Sequence, residues 1–194
     1  KLKDERFDIE EISEIGEPIA PKEHARKFVS QCGVIVRDNI PITIREWHKP
    51  KGGGESFVSD ICKRELLKSV FHNFALPTGL GDAEKKKVFQ WTLNKMAEQF
   101  MNYKKRLYQQ FIKTKKTPNF EDVQYRRIRD QWQEFKDYKE SEEALEKSAK
   151  NKLNADKKQY FQRLGPGGYK TAIPKWQERD AKLIAAGVTP CTSR

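Results

Sequence analysis

Apolar residues recur at helical spacing through most of the chain. Phe89, Leu93, Met96, Phe100, Tyr103, Leu107 and Phe111 follow one another at alternating steps of four and three, ending with a second step of four. One stripe of that length predicts a single helix from about Asp82 to Thr114, widened by Trp91, Tyr108 and Ile112 and carrying lysines on its other faces. Upstream, Leu67, Val70, Phe71 and Phe74 predict a helix capped by Ser59 or Asp60, running to about Leu76-Pro77 and ending in a Thr78–Gly81 turn. Downstream of Thr117-Pro118, Tyr125, Ile128, Trp132 and Phe135 mark a second aromatic-faced helix over Phe120–Tyr138. Ser141-Glu142-Glu143 then reads as a cap with acids in the first turn of a polar helix reaching about Leu164, stopped by Gly165-Pro166-Gly167-Gly168. A last helix fits Ile173–Ala186, with Pro174 near its start and Gly187 as its left-handed stop.

The N-terminal part follows another pattern. Pro21 opens a short helix that stops near Gly33, and the β-branched runs Val34–Val36 and Ile40–Ile44 predict two short strands or an extended ribbon. Lys49-Pro50-Lys51-Gly52-Gly53-Gly54 is the strongest internal break. The glycine triplet lacks the surrounding P-loop pattern and reads as a linker. The expected organisation is an acidic leader (1–20), a short helix with an extended segment (21–50), a Gly-rich linker (51–58) and a helical basic domain (59–194). The expected fold is mainly α, with about five helices and a short extended or β-ribbon segment near the N-terminus. No internal repeat is present.

Composition adds a core and a sign. Hydrophobic residues make up 36% of the 194 and aromatics 11%, enough to bury a core, while the 35% that are charged leave a very wet surface. The net charge of +11 is uneven. Residues 1–20 sum to −4, residues 21–83 to +3, residues 84–116 to +8 and residues 117–194 to +4. A basic excess speaks for polyanionic partners rather than for a fold. The acidic leader is either a solvated tail or a segment folded over the basic face. No apolar run approaches the roughly 20 residues of a membrane span, so no membrane partner is expected. Lys1 in place of Met, and Arg194 directly after Pro190–Ser193, lead us to expect cuts in a longer chain.

Candidate chemistry is sparse. Cys32, Cys62 and Cys191 with His24, His48 and His72 form neither a disulfide framework nor a zinc spacing. His24, Cys32 and Asp38 lie in no nucleophile signature. The expectation is therefore no enzyme, no catalytic residue, no metal and no cofactor. Binding has more behind it. Lys85, Lys86, Lys87, Lys104, Lys105, Arg106, Lys113, Lys115, Lys116, Arg126, Arg127 and Arg129 lie on or beside two helices whose other faces are aromatic. Such helices bury the aromatic stripe and leave a basic ridge for the phosphates of nucleic acid, above all double-stranded DNA, with the arginines suited to bidentate contacts. The alternative is a protein-interaction or oligomerisation module, as a homodimer or with another partner, using the 89–111 stripe or the leader. Tyr160, Phe161, Tyr169 and Lys170, flanking the Gly165–Gly168 loop, are a further place where an aromatic and a base meet.

The run Trp132-Gln133-Glu134-Phe135-Lys136-Asp137-Tyr138-Lys139 with Ser141-Glu142-Glu143, then Lys150–Ala155 and Gly165–Tyr169, resembles the plant Ptta/En/Spm (CACTA-type) transposase-associated family. Its pattern is a Trp and Phe helix, a Ser, an Asn-rich helix and a Gly-Ser turn with an aromatic. Gly33–Ile42 and Arg45-Glu46-Trp47 also resemble segments of plant En/Spm products, so the likeness extends from about residue 16. Asn154-Ala155 and Gln162-Arg163 stand where many members have an Asn-Arg pair and a His, and Gly-Pro-Gly-Gly replaces the Gly-Ser turn. The resemblance implies a transposon-derived plant protein, nuclear and DNA-associated.

Overall fold

The computed structural model describes residues 6–54, 56–157 and 168–189. The chain divides into two compact units, Lys1–Ala144 and Leu145–Arg194. It is mainly helical, with seven α-helices and four short strands among the described residues.

In the first unit, β1 (Phe7–Asp8) pairs in parallel with β4 (Phe74–Ala75), and β2 (Glu11–Ile12) pairs antiparallel with β3 (Pro18–Ala20). The expected acidic leader is thus built into the fold over Phe7–Ala20, because its apolar residues have somewhere to go. Ile9 is buried in the main core, with Phe7 and Ile12 packed against it. Gly16 fixes the path of the hairpin. Its φ is +85°, and a Cβ there would lie 2.5 Å from the Lys87 carbonyl carbon and 2.6 Å from Val88 N. Only glycine lets the hairpin rest on that helical backbone.

Helix α1 (Lys22–Asn39) runs straight through the segment expected to be extended. Val34–Val36 are helical because Phe28, Cys32, Ile35 and Val36 are all buried on one side of the helix, so burial overrides a weak β preference. Gly33 continues the helix where it passes Gln99, whose Oε1 lies 3.3 Å from the place of a Cβ. Ile40–Ile44 forms no strand either. Ile44 N–H donates to Pro41 C=O in a turn (3.1 Å). The ribbon near the N-terminus exists, but in residues 7–20 rather than 34–44.

The Gly-rich segment is a loop and not a domain boundary. Glu46 and Phe57 form a parallel bridge across it, and Val58 is buried in the same cluster as α1. The chain leaves that core and returns to it within about ten residues, so residues on both sides of the loop build the same cluster. Helix α2 (Asp60–Asn73) starts where expected, with Ser59 Oγ accepting from Cys62 N–H (3.2 Å). Helix α3 (Asp82–Leu107) follows; Glu84 Oε2 accepts from Gly81 N–H (2.9 Å), and a π-helical turn, Tyr108–Ile112, extends it.

The buried side of α3 coincides with the predicted stripe only in part, at Met96, Phe100 and Leu107. It comprises Val88, Thr92, Met96, Phe100, Lys104 and Leu107. Steps of four advance 400° around a helix of 100° per residue, so this seam winds by 40° at each step. Phe89 is 38% exposed as a consequence, and Leu93 and Tyr103 are half-buried. Met96, Phe100, Leu107 and Phe111 are enclosed by the chain's own core, which removes most of the 89–111 stripe from any dimer seam.

Past α3, the predicted helix Phe120–Tyr138 is broken into α4 (Val123–Arg126), a 3-10 turn (Arg129–Gln131) and α5 (Trp132–Glu140). Asp122 caps α4, accepting from Gln124 N–H (3.1 Å). Two apolar clusters result. The larger joins α1, α2 and α3 around Phe28, Val70, Met96 and Phe100. The second gathers Leu107, Phe111, Ile112, Ile128, Trp132 and Phe135, together with Ile42. Each of these large side chains contributes about 1.5–3 kcal/mol by leaving water.

Helix α6 (Glu142–Asp156) begins in the first unit and continues into the second with no buried residue. In the second unit, α7 (Gly168–Ala185) starts earlier than predicted, which puts Pro174 inside it. Tyr169 and Trp176 meet edge to face at 6.1 Å. Gly187, at φ +73°, closes the helix as expected, with Val188 N–H donating to Leu183 C=O (2.9 Å). The predicted stop at Gly165–Gly167, the helix end at Leu164 and the aromatics Tyr160 and Phe161 lie outside the described residues. No helix among the described residues is long and apolar enough to cross a membrane.

Candidate nucleic-acid interface

The structure separates the predicted basic residues into groups with different roles. Lys85, Lys86 and Lys87 are exposed in the first turns of α3. Lys105 and Arg106 are exposed in its last turn, about 27 Å away for Lys87 to Lys105 at 1.5 Å per residue. Between them the outward face carries Asn94 and Glu98, and Glu98 holds Lys95 at 2.7 Å. The expected basic ridge is therefore two cationic ends of α3 with a neutral middle.

Lys104 does not belong to the surface. It is only 8% exposed, and its Nζ donates to Ile44 C=O (2.7 Å) and Arg45 C=O (3.2 Å). The same ammonium lies 4.2 Å from the centroid of the Phe100 ring. This is a structural lysine: it satisfies carbonyls of the turn after α1 and ties that turn to α3. It is therefore not the phosphate contact that its place in the run Lys104-Lys105-Arg106 predicts, because its ammonium is already engaged inside the fold.

Beyond the π-helical turn, the chain reverses through Lys113, Lys115 and Lys116, all exposed. Lys116 N–H donates to Phe111 C=O (2.8 Å) and Lys115 N–H to Ile112 C=O (3.0 Å). These two bonds make a Schellman closure, and Lys115 occupies its left-handed position at φ +55°. Glycine is the usual residue there, since a side chain costs about 1–2 kcal/mol in this region. A lysine held in it is therefore a strained cation in an exposed turn.

The arginines are partly engaged. Arg127 contacts Asp38, with Nη1 3.6 Å from Oδ1 and 3.1 Å from the main-chain oxygen. Arg129 is ion-paired with Glu121. Arg126 reaches only the Glu121 main-chain oxygen, at 3.4 Å. Arg127 and Arg129 thus hold α4 in place before they do anything else, which leaves Arg126 as the least committed of the three. Tyr125 anchors the same segment, its ring edge to face with Phe111 at 5.2 Å.

Two cations escaped the sequence reading. Arg37 lies near the end of α1 with its guanidinium 6.0 Å from the Tyr103 ring centroid. Burial pushes the Tyr103 hydroxyl above its usual range, while nearby Arg37 and Arg106 act in the opposite direction. Arg37, Tyr103 and Arg106 therefore share one neighbourhood, which brings the end of α1 to the basic end of α3. Arg45 lies 4.2 Å over the Tyr138 ring and reaches Glu143 at 3.5 Å. Arg37 could have been found from its spacing to Lys22 and Arg26, had α1 been read as one helix.

Other chemistry stays apart. His24, Cys32 and Asp38 all lie on α1, where eight and six residues of helix, about 12 and 9 Å, separate them. Cys32 is fully buried and its thiol is pushed up to about 12, chiefly by desolvation. Among the described residues no group of three His, Cys, Asp or Glu is placed to hold a metal ion. No protein-family model, no curated protein and no solved structure matches this chain.

Proposed function

We propose that this chain is a non-catalytic DNA-binding module that holds duplex phosphates with the cations at the C-terminal end of α3. One observation carries the reading. Lys105, Arg106, Lys113, Lys115, Lys116 and Arg126 are all exposed, and among the described residues none of them is ion-paired with a carboxylate. Charges of one sign gathered without counter-charge repel each other, and a polyanion relieves that repulsion while its counterions are released. The left-handed Lys115 supports the same reading, because strain that a glycine would remove is retained at a charged, exposed turn. Lys85–Lys87 form a second contact at the other end of α3, and Arg37 adjoins the first. The transposon-derived, nuclear and plant aspects of this proposal rest on the sequence resemblance alone.

The test is a salt titration of binding to random-sequence duplex DNA. Affinity should fall linearly on a log–log plot, with a slope of about 0.9 per phosphate neutralised. Lys105→Glu and Lys113→Glu should each lower that slope by about one. Lys115→Gly should weaken binding while raising stability by about 1 kcal/mol. A chain that binds no duplex at low ionic strength would overturn the proposal.

A second reading has its own observation. Leu145 and Leu153, together with Ala149, fall on one side of α6, and both leucines are more than half exposed. This side fits a protein partner. Sedimentation at increasing concentration tests its homodimeric form: a monomer throughout, unchanged by Leu153→Glu, argues against it.

A further inference from the structure

An open groove of about 840 Å³ lies along α1 on the first unit, away from the lysines after α3. Phe7 and Val34, backed by the buried Phe74, give it an apolar wall; Lys22, Arg26 and Lys27 give it a cationic side, with the Lys27 ammonium 4.7 Å from the Phe7 ring centroid. Its size is that of a site for a small molecule or a single nucleotide. Glu23 is the acid in its lining and is ion-paired with Lys27, which holds the Glu23 carboxyl below its usual range. Among the described residues, Lys22 and Arg26 are in no ion pair. The groove therefore presents net positive charge beside an apolar surface.

The helix also leads somewhere. Lys22, Arg26, Ser30 and Arg37 stand at steps of four, four and seven, within about 80° of one side of α1 at 100° per residue. Lys22 to Arg37 spans about 22 Å of helix. At the far end Arg37 joins Tyr103 and Arg106, beside the surface assigned to duplex phosphates. The other acid of α1, Asp38, is paired with Arg127. Cations thus stand at the groove and, about 16 Å further along the same side of α1, beside that surface.

We propose that the groove receives an unpaired nucleotide from a single-stranded overhang of the bound DNA, with its backbone following Lys22, Arg26 and Arg37. The base lies against the apolar wall, and the cations carry the phosphates. Single-strand sites combine these two elements, a basic path and an apolar or aromatic platform that tolerates any base. This inference rests on the DNA-binding reading and extends it from duplex to strand end.

The experiment compares a blunt duplex with the same duplex bearing a short thymine overhang, at fixed salt. The overhang should tighten binding by about tenfold, the effect of one stacked base. Arg26→Glu, and Ser30→Trp as an exposed change that fills the groove, should abolish the overhang's advantage and leave blunt-duplex affinity within about twofold. Lys113→Glu should do the reverse, weakening both duplexes and preserving the advantage. Equal binding of the two duplexes by the unaltered protein overturns the inference while the duplex reading stands; loss of all binding overturns both. Displacement of the overhang by polyglutamate as readily as by oligothymidine, or by free thymidine monophosphate at equal concentration, also overturns it.

Discussion

The burial of Lys104 makes the sharpest demand on the structure, because the residue directly precedes two exposed basic residues, Lys105 and Arg106, and does something else. Lys104→Met keeps the aliphatic stem and removes the ammonium. Two main-chain oxygens, of Ile44 at 2.7 Å and Arg45 at 3.2 Å, then lose their donor. Hydrogen bonds to a charged group contribute about 1.5–3 kcal/mol each, and the relief of no longer burying an ammonium offsets part of that loss. The expected net cost is about 2 kcal/mol, or about 4–8 °C in Tm for a domain of this size. Urea unfolding followed by circular dichroism reads it as a lower midpoint with unchanged slope. The neighbouring Lys105→Met should stay within about 0.5 kcal/mol of the parent, as exposed substitutions do. DNA affinity should respond in the opposite order: Lys105→Met weakens it, and Lys104→Met, measured where the variant is folded, does not. If Lys104→Met unfolds at the parent's midpoint and weakens binding as Lys105→Met does, Lys104 is a surface cation and the anchoring bonds described above are not its role.

The hairpin and the buried thiol give two further expectations. Gly16→Ala should destabilise the first unit by about 2 kcal/mol or more, since the added Cβ meets the Lys87 backbone at 2.5 Å in a left-handed conformation; thermal unfolding of the variant checks it, and an unchanged Tm refutes the docking of the hairpin on α3. Cys32 titrates near 12 when folded against 9.0 as its ordinary value, so the unfolded chain loses this proton first as pH rises. Its contribution to stability is full below pH 9 and declines between pH 9 and 12, at up to about 1.4 kcal/mol per pH unit. Urea midpoints of the parent and Cys32→Ala across that window should converge as pH increases; parallel curves would show that Cys32 is not the group responsible.

The helical character, the Ser59 cap of α2, the length of α3 and the Gly187 stop were all legible, because each is written in neighbouring residues. What was not legible depends on distant ones. Val34–Val36 look like a strand until Met96 and Phe100 supply a surface that rewards helical burial of one side of α1. The stripe and the buried side of α3 share Met96, Phe100 and Leu107 and diverge towards Phe89 and Tyr103, which are larger signals than Val88 and Lys104, because local spacing cannot show which side meets the core. Lys104 reads as one more basic residue in Lys104-Lys105-Arg106; its acceptors lie some sixty positions earlier. The acidic leader concealed Ile9, whose place in the core depends on strand pairing with residues 74–75. Within the candidate interface, the exposed lysines after α3 were readable as charges, whereas the commitment of Arg127 to Asp38 and of Arg129 to Glu121 required the fold.

The short segment between α1 and the Gly-rich loop has a consequence for how the first unit comes apart. Ile40 and Trp47 belong to one apolar cluster and Ile42 to the other, while Ile42 N–H donates to Gln131 Oε1 (2.8 Å) and Lys104 clasps the carbonyls of residues 44 and 45. Neither cluster can open without tearing this stretch away from the other. The two interiors are therefore one cooperative folding unit: hydrogen exchange should place the slowest amides of α1 and α5 at a common opening free energy, and the strap between them will be among the last parts to exchange.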